Sequence, residues 1–99
     1  MKFPDPDQIL LTDVLYALSD PTRLQIVKRL AKTGEQTCCS FDFPIAKSTL
    51  SHHFKVLRDS GVVYTRNEGT QSFNSLRLDD LNIRFPGLLD TVLNAVERS

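Results

Sequence analysis

The chain has 99 residues, of which 40% are hydrophobic and 24% charged, and twelve Lys and Arg balance twelve Asp and Glu. This length suits one domain with a modest core, and the composition argues against a disordered chain. No apolar run is long enough to cross a bilayer, and the N-terminal residues do not predict a signal peptide. We therefore expect residues 1–99 to form a single cytoplasmic domain that does not enter a membrane.

The charges are unevenly distributed along the chain. Residues 21–77 carry nine Lys and Arg against four Asp and Glu, whereas residues 1–20 and residues 78–99 each carry four acidic groups and fewer basic ones. A basic middle segment can bind an anion although the whole chain is neutral, because the local field determines such binding. The charge pattern is thus compatible with a nucleic-acid partner.

Two helices are predicted first. Residues 8–18 have a helical apolar period with a wide apolar arc. Asp20 and Pro21 then begin a second helix, because Asp caps free N–H groups and Pro suits the first helical position. This helix is expected to run to about Lys32 and to end at Gly34. Its predicted buried side holds Leu24, Ile26, Val27, Leu30 and Ala31.

Residues 35–46 are predicted to form at most a short helix, because Pro44 would break a longer one. Phe41 and Phe43 are expected to pack beneath the helix that follows. The same segment contains the two cysteines, Cys38 and Cys39. Adjacent cysteines do not form an ordinary disulfide, and the chain has no Cys-x-x-Cys pair that would predict zinc. Two interpretations stay open: a structural thiol pair, or a sensor for oxidants or thiophilic metalloids.

Residues 47–59 form the most informative predicted helix. Leu50, Phe54 and Leu57 lie at i, i+4 and i+7 and make one apolar stripe. Off this stripe, hydroxyls, an imidazole and cations occur with no acid before Asp59, which is the chemistry that meets phosphates and base edges. These residues, which we call the outer face, are Lys47, Ser48, Thr49, Ser51, His52, Lys55 and Arg58. His53 either joins them or turns inward beside Phe54.

A β-hairpin and two further helical segments follow. Residues 62–66 and 72–78 are predicted strands around a turn at 67–71, and Phe73 is out of phase with Leu76 and Leu78, which suggests a bulge. A short helical turn begins at residues 79–80, and residues 87–97 form a last helix with a wide apolar arc. A homodimer would bury both over-apolar terminal helices. The expected dimer residues are Leu10, Leu11, Val14, Leu89, Val92, Leu93 and Val96.

The predicted fold class is mainly α with a small β-hairpin, in the order of a winged helix-turn-helix. In that arrangement the recognition helix enters the major groove of double-stranded DNA and the hairpin wing touches the backbone or minor groove. Arg66 and Gln71 are the candidate wing contacts. No Ser-His-Asp order, carboxylate pair or phosphate-binding glycine loop predicts an enzyme.

Two segments resemble the ArsR/SmtB-type bacterial transcriptional regulators. Residues 17–27 are similar to that family's A-L-x-D-P-T-R-L opening, and residues 47–63 are similar to its recognition segment. The resemblance implies a homodimeric winged-helix repressor of a palindromic operator, often released by a metal ion or another inducer. The family's metal sites do not carry over, because Thr37-Cys38-Cys39-Ser40 lacks the Cys-x-Cys spacing and residues 79–99 contain no His or Cys.

We therefore expect a sequence-specific repressor with no cofactor and without the family's usual metal sites; the sequence identifies no inducer. Two alternatives stay open. One is a thiol- or metalloid-responsive repressor that senses through Cys38 and Cys39. The other is a winged-helix module that binds a protein, against which the acid-free outer face argues.

Overall fold

The computed structural model describes residues 3–37 and 40–98. A 3-10 turn at Pro6–Gln8 precedes α1 (Leu11–Ala17), α2 (Pro21–Thr33), β1 (Gln36–Thr37), α3 (Lys47–Asp59), β2 (Val63–Glu68), β3 (Gln71–Leu76), α4 (Leu78–Arg84) and α5 (Leu88–Arg98). The strands form one antiparallel sheet in the order β1-β3-β2. The order of helices and hairpin agrees with the predicted winged helix-turn-helix.

The first two helices form much as their sequence dictates. α1 begins at Leu11, three residues later than the apolar period suggests, because Pro6–Gln8 form a separate 3-10 turn. α2 begins after Asp20, whose Oδ2 accepts a hydrogen bond from the Arg23 N–H at 3.0 Å, and ends at Gly34. Ile26, Val27 and Leu30 are buried and Leu24 is half-buried. The prediction was wrong for Ala31, which faces solvent.

The segment between α2 and α3 contains an unpredicted strand. β1 pairs with β3, so that Gln36 lies opposite Asn74 and Thr37 opposite Phe73. Residues 41–46 form no helix, but the predicted packing of Phe41 is confirmed. Phe41 is 6% exposed, and its ring meets the Phe54 ring of α3 edge-on, with centroids 5.3 Å apart. Cys38 and Cys39 lie outside the described residues.

The hairpin has no bulge, so that prediction was wrong. Its register runs without interruption from Val63 opposite Leu76 to Glu68 opposite Gln71. Phe73 is out of phase because it lies opposite Arg66, whose guanidinium carbon is 4.6 Å from the centre of the Phe73 ring. A polar pair replaces apolar contacts at the next position, where the buried Thr65 hydroxyl donates to Asn74 Oδ1 at 2.7 Å.

One core joins all the helices. Its largest fully buried side chains come from the residues around α1, from α2, from the end of α3 and from the start of β2: Ile9, Val14, Ile26, Val27, Leu57, Val62 and Val63. Leu81 of α4 and Leu89 of α5 complete it from the C-terminal side. This core holds the inner side of α3 and leaves its other side in solvent.

Candidate nucleic-acid interface

α3 presents two chemically different sides. Its inner side is anchored by Phe54 and Leu57, which are 2% and 0% exposed, and by the half-buried Leu50. Six residues of the outer face, Lys47, Ser48, Thr49, Ser51, His52 and Lys55, are exposed, and Arg58 is half-buried. All seven α3 residues that the sequence nominated are therefore at least partly accessible to solvent.

The cations of this surface are weakly engaged. Lys55 Nζ lies 2.7 Å from Asp59 Oδ2, one turn along the helix, and both side chains are more than half exposed, at 64% and 59%. An exposed pair at this spacing contributes little to stability, so a phosphate can displace the carboxylate. Within residues 3–37 and 40–98, neither Lys47 nor Arg58 has an ion-pair partner.

The two histidines have different environments. His52 is exposed on the outer face, whereas the His53 side chain is only 12% exposed. Nδ1 of His53 lies 3.1 Å from Arg23 Nη1 and 3.8 Å from Asp20 Oδ2, both at the start of α2. The sequence left open whether His53 joins the outer face or turns inward, and in the structure it turns inward.

Arg23 is the residue that the sequence analysis missed. It is 6% exposed, and its Nε and Nη2 donate to the backbone carbonyls of Ala17 and Tyr16 at 2.7 and 3.3 Å. A signal for it was present in the sequence: Arg23 occupies the same helical face as Ile26, Val27 and Leu30. A cation on a buried face requires internal acceptors.

The wing carries a charge network centred on Arg66. Its Nη2 donates to Glu35 Oε1 at 2.9 Å, and its Nη1 donates to Glu68 Oε2. These two carboxylates hold the pKa of the Arg66 guanidinium above its usual value. Gln71 is exposed at the start of β3. Arg66 would have to exchange a carboxylate for a phosphate before contacting DNA, so its wing role stays a prediction.

The expected dimer residues separate into two groups. Leu10 and Leu11 are 54% and 44% exposed, and Val92, Leu93 and Val96 are half-buried. Val14 and Leu89 are 1% and 2% exposed, a correction to the predicted set, because they already pack within the chain's own core. A groove of about 400 Å³ runs between α1, α2 and α5. We call it the apolar groove, and it is lined by Leu15, Leu18, Leu24, Val92, Ala95 and Val96.

Among residues 3–37 and 40–98, no group of three His, Cys, Asp or Glu side chains lies close enough to share a metal ion. In the same part of the chain, no helix combines the length and apolarity that a bilayer crossing needs.

These elements define a class of protein. A three-helix unit, a solvent-facing helix with a polar and basic surface, and a β-hairpin directly after that helix constitute a winged helix-turn-helix DNA-binding domain. Comparisons with known proteins then give its family. The family model "Bacterial regulatory protein, arsR family" matches residues 20–65.

Individual relatives agree. The HTH-type transcriptional regulator YceK of Bacillus subtilis is 34% identical over 95 residues, which are 93% of this chain and 95% of that protein. The arsenical resistance operon repressor of Staphylococcus xylosus is 38% identical over 74 residues, 73% of this chain and 70% of that protein. The crystal structure of the transcriptional repressor BigR from Xylella fastidiosa matches with a TM-score of 0.69 and 30% identity, over 89% of this chain and 83% of that one.

The chain belongs to the arsR family of bacterial regulatory proteins. The predicted resemblance and the winged helix-turn-helix fold are thereby confirmed. The family consists of DNA-binding transcriptional regulators, so the expectation that the chain is not an enzyme is also confirmed.

Proposed function

We propose that the chain is a homodimeric transcriptional repressor that inserts α3 into the major groove of a palindromic operator. One observation carries this proposal: the outer face of α3 is accessible while Phe54 and Leu57 are fixed in the core. A helix anchored on one side and polar on the other can enter a groove without exposing apolar surface.

The outer-face residues divide into two roles. Ser48, Thr49, Ser51 and His52 are short or planar polar side chains, which suit contacts to base edges and the nearest phosphates. The three cations Lys47, Lys55 and Arg58 suit phosphates, which give affinity and salt dependence without sequence preference. Arg66 and Gln71 would extend the footprint from the wing.

A homodimer would match the two-fold symmetry of a palindromic operator. Exposed Leu15 lines the apolar groove opposite α5, and Leu10 and Leu11 are exposed at the start of the same helix. A second copy that covers this surface would bury α1 and α5 of both protomers and present two α3 helices about 34 Å apart, one turn of DNA. The repressor assignment follows two similar proteins, the Staphylococcus xylosus and Xylella fastidiosa regulators, which are described as repressors.

The test is selection of bound DNA from a random duplex pool, followed by titration of the selected duplex at two salt concentrations. We expect one palindromic consensus and an affinity that falls as salt rises, because phosphate contacts release counterions. A Lys55→Gln/Arg58→Gln variant tests whether α3 is the element that binds DNA. It should keep the fold and lose affinity for the selected duplex. Failure to enrich any sequence, or an unchanged affinity of this variant, would refute DNA binding through α3 and favour the protein-binding module.

A further inference from the structure

We propose that Arg23 is a positioning residue for DNA recognition: it fixes α3 to the C-terminal end of α1, so that the helix at the expected dimer surface sets the placement of the helix that meets DNA. This inference rests on the proposed function. Through the Arg23 link, a displacement of α1 would change the affinity of the protein for its operator.

The geometry of the Arg23 guanidinium carries the inference. Each of its three nitrogens lies within hydrogen-bond distance of a different acceptor. Nε donates to Ala17 O at 2.7 Å and Nη2 to Tyr16 O at 3.3 Å, and Nη1 lies 3.1 Å from His53 Nδ1. The first two acceptors are the last carbonyls of α1, and the third belongs to α3. Because the guanidinium is planar and rigid, a shift of either helix end relative to the other breaks at least one of these bonds.

The chemistry also fixes the state of His53. An arginine side chain only donates hydrogen bonds, so Nδ1 of His53 must offer its lone pair and the ring proton must reside on Nε2. Nδ1 is therefore the acceptor of this hydrogen bond. Its neighbour in the chain, His52, lies on the outer face, so the bond holds α3 one residue from its DNA-facing surface.

A purely structural role explains these contacts less well. Apolar side chains occupy the other positions of this α2 face, Ile26, Val27 and Leu30, and burial of a cation among them costs desolvation. The Ala17 and Tyr16 carbonyls end a helix and could instead be hydrated or capped locally; Tyr16 O already accepts from the Ser19 hydroxyl at 2.6 Å. Arginine is the side chain that reaches two carbonyls of one helix and an imidazole of another at once.

The α1 end of this link adjoins the apolar groove: Leu15 lines the groove, whereas the next residue, Tyr16, lines a separate recess with Val56 and Asp59. Leu15 and Tyr16 are 47% and 62% exposed, and the Arg23 guanidinium carbon lies 5.4 Å from the centre of the Tyr16 ring. A second protomer that shifts the end of α1 through Leu15, or a ligand that moves Tyr16, would therefore act on the group that holds His53. Coupling of this kind requires a physical element that both sites bias, and the Arg23 guanidinium is that element.

The experiment measures the ratio of affinities for the selected operator and for a scrambled duplex, together with the melting temperature and the dimer dissociation constant. His53→Leu removes the acceptor at similar size, and His53→Asn retains one near the position of Nδ1. We expect His53→Leu to lower the affinity ratio about five- to tenfold, and His53→Asn to restore most of it. Arg23→Lys, which cannot reach all three acceptors, should lower the ratio similarly, and adding His53→Leu to it should have little further effect.

The control is Ser60→Ala, which removes another buried hydrogen bond at the end of α3, from the Ser60 hydroxyl to Leu57 O at 3.0 Å. It should lower the melting temperature and leave the affinity ratio unchanged. If the wild type discriminates operator from scrambled DNA but the Arg23 and His53 variants lose both affinities equally, the role of Arg23 is structural only and the inference is overturned. If the wild type itself discriminates no sequence, the proposed function fails and the inference falls with it.

Discussion

Lys55 Nζ and Asp59 Oδ2 lie 2.7 Å apart at the C-terminal end of α3, and this ion pair places the only carboxylate of the recognition helix against one of its cations. Under the proposed function, Asp59 would therefore compete with DNA phosphate for Lys55. The pair is solvent-exposed, so it is easily exchanged but still opposes binding.

Asp59→Asn should strengthen binding to any duplex about two- to fivefold at low salt, because Lys55 is released and a repulsive charge is removed. The gain should be smaller at high salt, where screening weakens both effects. Fluorescence anisotropy with labelled DNA measures it. Asp79→Asn, an identical charge change at an exposed position of α4, is the control and should give a clearly smaller gain. Equal gains for the two variants would mean that Lys55 does not face DNA.

The wing offers a second electrostatic test, since Arg66 is held by Glu35 and Glu68. If Arg66 contacts phosphate in the complex, Glu35→Gln/Glu68→Gln should raise DNA affinity several-fold and steepen its salt dependence. The same double change in an Arg66→Gln background should give a smaller gain, because no guanidinium is then released. A gain that does not depend on Arg66 would show that this arginine stabilises the wing and does not contact DNA.

Gly61 is predicted to tolerate substitution far less than Gly69. Gly61 has φ +88°, and an added Cβ would lie 2.6 Å from Ile9 Cγ1, whereas Gly69 has φ +62° and open space around it. Gly61→Ala combines backbone strain with overpacking and should cost about 3 kcal/mol of the free energy of unfolding, against about 1 kcal/mol for Gly69→Ala. Urea denaturation compares the two, and similar losses would contradict the close packing of Ile9 on Gly61.

The apolar groove gives a prediction about assembly. Leu15→Glu places a charge on this surface at a residue that is 47% exposed, so it should leave the fold intact and yield a monomer. The monomer should bind a palindromic operator at least tenfold more weakly, because one half-site is lost. Ile83→Glu, at the most exposed large apolar side chain on α4 among the described residues, is the matched control and should remain dimeric. Sedimentation velocity distinguishes these species, and a Leu15→Glu dimer would place the interface elsewhere.

Much of the candidate site follows from local sequence rules. The capping of α2 by Asp20, the extent of α3 at Lys47–Asp59 and the exposure of its polar residues follow from helix signals and a 3.6-residue period. Such features depend on neighbours within a few residues. The motifs at residues 17–27 and 47–63 then indicated the family, which the comparisons show.

Other features needed the tertiary structure because their partners are distant in sequence. β1 consists of two polar residues, and its strand partner β3 lies 36 positions away for Thr37 and Phe73. The predicted bulge was absent because Phe73 packs against Arg66 across the hairpin, a contact that strand periodicity does not contain. Similarly, Val14 and Leu89 belong to apolar helices, but only the packed chain shows that its own core already covers them.

The sequence by itself thus determined the helices, the hairpin, the family and the polar surface of α3, since each depends on residue type and short spacing. Only the tertiary structure decided the environments of Arg23, His53 and Arg66. In the sequence each is simply a polar residue, because its hydrogen-bond partner lies up to 31 residues away. The guanidinium of Arg23 meets His53, and that of Arg66 meets Glu35. The planar guanidinium of Arg23 needs its three acceptors at fixed positions in space, and the packing of α1, α2 and α3 provides them.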